Sequence, residues 1–126
     1  MNESSRILKS FKHAKDGLIH ALKFERNFRI QVYVGILVVA LSIILSISTN
    51  NFLVILFVTC LLLSMELINS AIERLCNIIT TKHHPEIKII KDMAAATVLV
   101  MVLLSLAIGI IIFLPYIYTF FSKINI

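Results

Sequence analysis

The chain has 126 residues, 59% of them hydrophobic, and a formal net charge of +5, with a mean hydropathy of +0.95. A soluble domain is roughly half apolar, so a water-soluble fold is excluded and a small integral membrane protein is expected. The basic residues flank apolar runs and build no separate basic domain, which excludes nucleic acid as the reason for the charge.

From Arg6 to Phe24 the apolar residues Ile7, Leu8, Phe11, Ala14, Leu18, Ala21 and Leu22 recur at helical spacing, and lysines fill much of the rest. This predicts an amphipathic helix over about 5–26, lying on the membrane surface with its basic face towards anionic lipid. Glu25 closes it, just before the chain enters the bilayer, where an acid gains nothing from anionic lipid. Spacing alone leaves two readings of Glu25: a local pair with Arg29 four residues on, or a functional carboxylate. Charge persists up to Arg29 before the first long apolar run, unlike a cleavable signal peptide, so that run is expected to stay in the mature protein.

Three spans follow, over about 29–48, 52–77 and 92–114, giving an all-α membrane protein of one domain, 1–126. Ser48 to Asn51 reads as a short uncharged turn. Thr80 to Lys91 reads as a polar loop, with Pro85 opposing continuous helix. Pro115 marks the end of the third span, whose Ala94-Ala95-Ala96 start suits close helix approach. Cys60 and Cys76 form no C-x-x-C pair and fit packing better than a disulfide or a metal site. The adjacent histidines His83 and His84 lack a third ligand by spacing.

Lysine and arginine concentrate in the N-terminal segment and in the second loop, which holds Arg74, Lys82, Lys88 and Lys91, while the first loop has none and the tail only Lys123. The positive-inside rule then puts the N-terminus and second loop in the cytoplasm. A three-span subunit this short buries little, so a homo-oligomer is expected.

The second span carries the informative stretch, Met65-Glu66-Leu67-Ile68-Asn69-Ser70-Ala71-Ile72-Glu73. At about 100° per residue Glu66, Asn69, Glu73 and Asn77 fall on one stripe, with Ser70 at its edge. Ionisable side chains at membrane depth are expensive enough to imply function. Glu66 lies about 21 Å along this span at 1.5 Å per residue, and Glu73 about 10 Å further, so the stripe rises from the inner half of the bilayer to the cytoplasmic surface. Glu25, Lys91 and Asp92 reach the same surface from their own segments.

Such a seam suits transfer of a phosphoryl group from a soluble nucleotide to a lipid hydroxyl. That chemistry needs a base at the acceptor, a cation at the phosphates and carboxylates for Mg²⁺. Glu66, deepest and least solvated, is the candidate base. Glu73 and Glu25 are shallow enough to meet hydrated Mg²⁺-nucleotide, and Lys91 is a point charge for phosphate. There is no glycine-rich phosphate loop.

Glu66-Leu67-Ile68-Asn69-Ser70-Ala71-Ile72-Glu73, followed by Lys91-Asp92-Met93-Ala94-Ala95-Ala96-Thr97, resembles the signature of the prokaryotic diacylglycerol kinases, which include the undecaprenol kinases. Gly17, Glu25 and Arg6 extend the likeness over nearly the whole chain. The resemblance implies a homotrimer in the bacterial cytoplasmic (inner) membrane that phosphorylates a lipid hydroxyl with MgATP, at sites shared between subunits. It implies Glu66 as catalytic base with Asn69 beside it, Glu25 and Glu73 as metal ligands, and Lys91, Asp92 and Arg6 at the nucleotide. Asn77 stands where the family usually has an acid, keeping a hydrogen-bonding oxygen without the charge. His84-Pro85 resembles the undecaprenol kinase branch.

Two other readings stay open at this stage. A small proton-coupled transporter could use Glu66 to exchange protons, but it would not need Lys91-Asp92 at the cytoplasmic end of the seam. A non-catalytic relative is hinted at only by Asn77. The acceptor, diacylglycerol or undecaprenol, is not written in the generic apolar residues of the spans.

Overall fold

The computed structural model describes residues 2–125. They form four helices and no strand: α1 (Glu3–Phe24), α2 (Arg26–Ile44), α3 (Thr49–Ile79) and α4 (Pro85–Ile124). The last three are long and apolar enough to cross a membrane. The fold is the expected one, three spans preceded by an N-terminal helix.

The helices are about 28, 46 and 60 Å long for α2, α3 and α4 at 1.5 Å per residue, against a hydrocarbon core of about 30 Å. Only α2 is cut to the core. The others project beyond it, and the reason for the length of α4 lies at its two prolines. Pro85 opens the helix instead of interrupting a loop, because at the first helical position its missing N–H would have had no partner anyway. His84 precedes it as cap, its Nδ1 accepting from the Glu86 N–H at 3.2 Å. The polar stretch therefore narrows to Thr80–His84, and Glu86 through Lys91 are helical. At the other end α4 continues through Pro115 to Ile124, as apolar membrane helices tolerate proline better than soluble ones.

The α2–α3 turn lies at 45–48, slightly earlier than the sequence suggested, since Thr49 already begins α3. Ser46 adopts a left-handed conformation with φ 51°. Its N–H donates to the Ile43 carbonyl at 3.1 Å and that of Ile47 to the Ser42 carbonyl at 3.2 Å, the paired closure of a Schellman end. Ser48 then caps α3 by accepting from the Asn51 N–H at 3.3 Å. The Tyr116 hydroxyl accepts from the Ser48 N–H at 3.0 Å and from the Asn51 amide at 3.2 Å, fastening α4 to the start of α3.

α3 is the central element, packing most extensively on α4 and next on α2, while α1 leans on α2. The approach of α2 to α3 depends on Gly35, which is buried and where an added Cβ would lie 2.9 Å from Thr59 Cγ2. The core is thin: Phe28, Ile55, Val58, Ala94 and Phe113 are buried, but most large apolar side chains of the spans are exposed. Ile7, Leu8 and Phe11 of α1 are exposed as well.

Candidate active site

The seam lies on a single helix, and its members differ in what covers them. Glu66 is buried, with 3% of its surface exposed, and Ser70 one turn on is buried too. Asn69 is half-buried, while Glu73 and Asn77 are exposed. Polarity thus emerges along α3 towards its C-terminal end, where Thr80–His84 turns the chain into α4.

A buried carboxylate needs a donor. It comes from α2: Gln31 Nε2 donates to Glu66 Oε2 at 2.9 Å. Glu25 and Glu73 lie near enough for their negative charges to act on Glu66. Three carboxylates, two from α3 and one from the α1–α2 junction, therefore share one electrostatic neighbourhood.

Glu25 occupies the break between α1 and α2. Its extended backbone (φ −102°, ψ 102°) ends one helix and starts the next; its N–H donates to the Ala21 carbonyl at 2.9 Å and its own carbonyl accepts from the Arg29 N–H at 3.1 Å. Arg29 does not pair with the Glu25 carboxylate. Its guanidinium donates to the Lys23 and Leu22 carbonyls at 2.7 and 3.2 Å, satisfying acceptors that the end of α1 leaves open. The carboxylate pairs instead with Arg74 of α3, whose Nε and a terminal nitrogen both donate to Oε1, at 2.8 and 2.7 Å. A cavity of about 530 Å³ opens beside this pair, lined by Gly17, Leu18 and His20 of α1 and Ser70 and Ala71 of α3.

From α4, Lys91 Nζ donates to Asn77 Oδ1 at 3.2 Å. Asn77 thus keeps the phosphate-binding candidate at the seam by its amide oxygen alone, without the charge of an acid. Asp92 pairs with Lys88 one turn back on its own helix, not with the seam. Arg6 lies far along α1, exposed, and makes no side-chain hydrogen bond or ion pair among the described residues. The structure therefore joins Glu25, Glu66, Glu73, Asn77 and Lys91 at one end of the bundle and leaves Arg6 apart. Sequence reasoning missed two partners, Gln31 and Arg74. Each contacts its carboxylate from 35 and 49 residues away, and no local spacing signals such pairs.

Among the described residues no three His, Cys, Asp or Glu side chains gather into a metal-binding group. A closed protein cage of the zinc or calcium type is not built here. Hydrated Mg²⁺ carried by a nucleotide asks for less, one or two carboxylates completed by phosphate oxygens and water. Two carboxylates at the mouth of the seam fit that demand.

Residues 12–113 match the sequence profile of the prokaryotic diacylglycerol kinases. The chain belongs to the prokaryotic diacylglycerol kinase family. Among curated relatives it is 38% identical to the undecaprenol kinase of Bacillus subtilis over 114 residues, covering 90% of this chain and 93% of that protein. It is 31% identical to the diacylglycerol kinase of Synechocystis over 110 residues, 86% of this chain but 63% of that longer protein. It is 36% identical to the diacylglycerol kinase of Helicobacter pylori over 98 residues, 75% of this chain and 74% of its relative. The matched range of the kinase family takes in Glu25, Glu66, Glu73, Asn77 and Lys91, and leaves out Arg6.

Proposed function

We propose that this family member phosphorylates the hydroxyl of undecaprenol, with MgATP as donor. It is a lipid kinase by family and a membrane protein by its three apolar helices. The observation that carries the mechanism is the buried Glu66 carboxylate, held by one hydrogen bond inside an apolar helix pair and electrostatically linked to Glu25 and Glu73. Undecaprenol is favoured as acceptor by the similarity to an undecaprenol kinase over nearly the full length of both chains. Diacylglycerol is the second reading, favoured by the relatives named as diacylglycerol kinases.

In this reading the lipid hydroxyl enters from the bilayer and meets Glu66, which takes its proton as the oxygen attacks the γ-phosphorus and ADP leaves. Asn69, three residues and nearly one turn on, orients the reacting groups. Lys91 neutralises phosphate charge, with Asn77 holding its ammonium in place. Asp92 and Arg6 complete the nucleotide site, Arg6 by way of a neighbouring subunit or a movement of α1. Glu25 and Glu73 would hold Mg²⁺, which when bound supplies charge neutralisation between the phosphates. The subunits assemble as a homotrimer, for which the large exposed apolar surface of the spans provides area. The protein sits in the bacterial inner membrane with its N-terminus and the α3–α4 loop cytoplasmic, an orientation that the lysine and arginine distribution supports.

The test is transfer of label from γ-labelled ATP in mixed micelles, with undecaprenol and diacylglycerol supplied separately. Label is expected on undecaprenol, and Glu66→Gln should bind nucleotide but lose turnover. Label on diacylglycerol alone would replace the acceptor, and full turnover by Glu66→Gln would end its role as base.

A further inference from the structure

Gln31 has no chemical role in the reading above, yet among the described residues it is the one side chain bonded to Glu66. It sits in the second turn of α2, half-buried. It also lines a cavity of about 540 Å³ between α2, α3 and α4, whose other walls are apolar except at Thr59 and Ser105. Its Nε2 bonds Glu66 Oε2 at 2.9 Å, while its Oε1 is buried and has no hydrogen-bond partner among the described residues. The amide cannot be turned round to relieve that oxygen, because its carbonyl would then face the carboxylate of Glu66. A buried unpaired carbonyl is unfavourable, and a methionine of nearly the same shape would avoid it. Packing therefore does not explain the amide; its donor does.

We propose that Gln31 is a positioning residue for the phosphoryl transfer, its amide N–H fixing Oε2 of Glu66 so that Oε1 is the oxygen presented to the acceptor lipid's hydroxyl. The proposal rests on Glu66 as the base. The hydroxyl O–H bond breaks and its proton passes to Glu66 Oε1. The lipid oxygen bonds the γ-phosphorus, and the bond from that phosphorus to the bridging oxygen breaks, its electron pair leaving with ADP. A carboxylate free to rotate would spread over several orientations, of which few place an oxygen in line with the hydroxyl, and a misplacement of about 1 Å can slow a reaction by about a hundredfold.

The experiment compares Gln31→Met with the unaltered protein in mixed micelles, reading kcat, the KM for MgATP, the KM for lipid and the thermal midpoint. The expected result is a kcat lowered by about 10- to 100-fold, a KM for MgATP within about twofold, and a thermal midpoint that does not fall. A second comparison uses Glu66→Asp, whose carboxylate is drawn back by one methylene, about 1.5 Å, beyond the reach of the amide. There Gln31→Met should slow turnover by less than about twofold, since coupled residues do not act additively. An unchanged kcat for Gln31→Met overturns the proposal, as does a loss tracking a fallen midpoint, or one equally large in the Glu66→Asp background. Full turnover by Glu66→Gln would instead remove the base itself, and is read separately.

Discussion

Replacing Arg74 with Met should make the kinase easier to satisfy with Mg²⁺, because Arg74 now engages Glu25, a carboxylate proposed to hold the metal. Both of its bonds go to one oxygen of Glu25, at 2.7 and 2.8 Å, so the second oxygen remains open and the arginine acts more by its charge than by blocking. The pair is accessible, with side-chain exposures of 50% for Arg74 and 23% for Glu25. Pairs of this kind contribute about 0.2–1 kcal/mol. At 1.36 kcal/mol per tenfold, removing the pair should lower the half-saturating Mg²⁺ concentration by about 1.4- to 5-fold. The assay is a Mg²⁺ titration of turnover at fixed, saturating ATP, run at low and high salt, since screening should shrink the difference. A half-saturation that rises, or one unchanged at low salt, would refute the assignment of Glu25 to the metal.

Glu73→Gln should act oppositely, raising the Mg²⁺ requirement in the same titration, and an unaltered curve would place the metal elsewhere. Gly35→Ala should lower the thermal midpoint in detergent. The new Cβ would lie 2.9 Å from Thr59 Cγ2 on a stiff β-branched side chain, and overpacking of about 1–3 kcal/mol outweighs the gain of about 1 kcal/mol in helix propensity; Thr59→Ser should restore the loss. Ser46→Gly should raise the midpoint, by up to about 1 kcal/mol of relieved strain, because a serine at φ 51° stands where glycine is unstrained.

Much of this was legible in the chain, for identifiable reasons. Hydropathy fixes spans because lipid leaves helices no alternative way to satisfy their backbones, and the polar stripe was readable because 3.6-residue periodicity puts Glu66, Asn69, Glu73 and Asn77 together on α3. Pro85 and Pro115 misled in opposite positions: a proline at a helix start is permissive, and one within a membrane helix is tolerated. The partners of the carboxylates were hidden. Gln31 lies in an apolar run with no periodic mate, and Arg74 looked like one more charge of a basic loop. Both are long-range pairs that only the packing of α2 and the α1–α2 junction against α3 creates.

Glu25 is at once a proposed ligand and the joint of the chain, since its own φ and ψ set the angle between α1 and α2. The other helices are tied at both ends, α2 to α3 by the Ser46 turn and the Gln31–Glu66 bond, and α3 to α4 by the short loop and Tyr116. α1 is joined to α2 through Glu25 and held at that end by the Arg29 guanidinium on the Lys23 and Leu22 carbonyls. Arg74 grips the Glu25 carboxylate from α3, so the joint that ends one helix and begins the next is also fastened to the third.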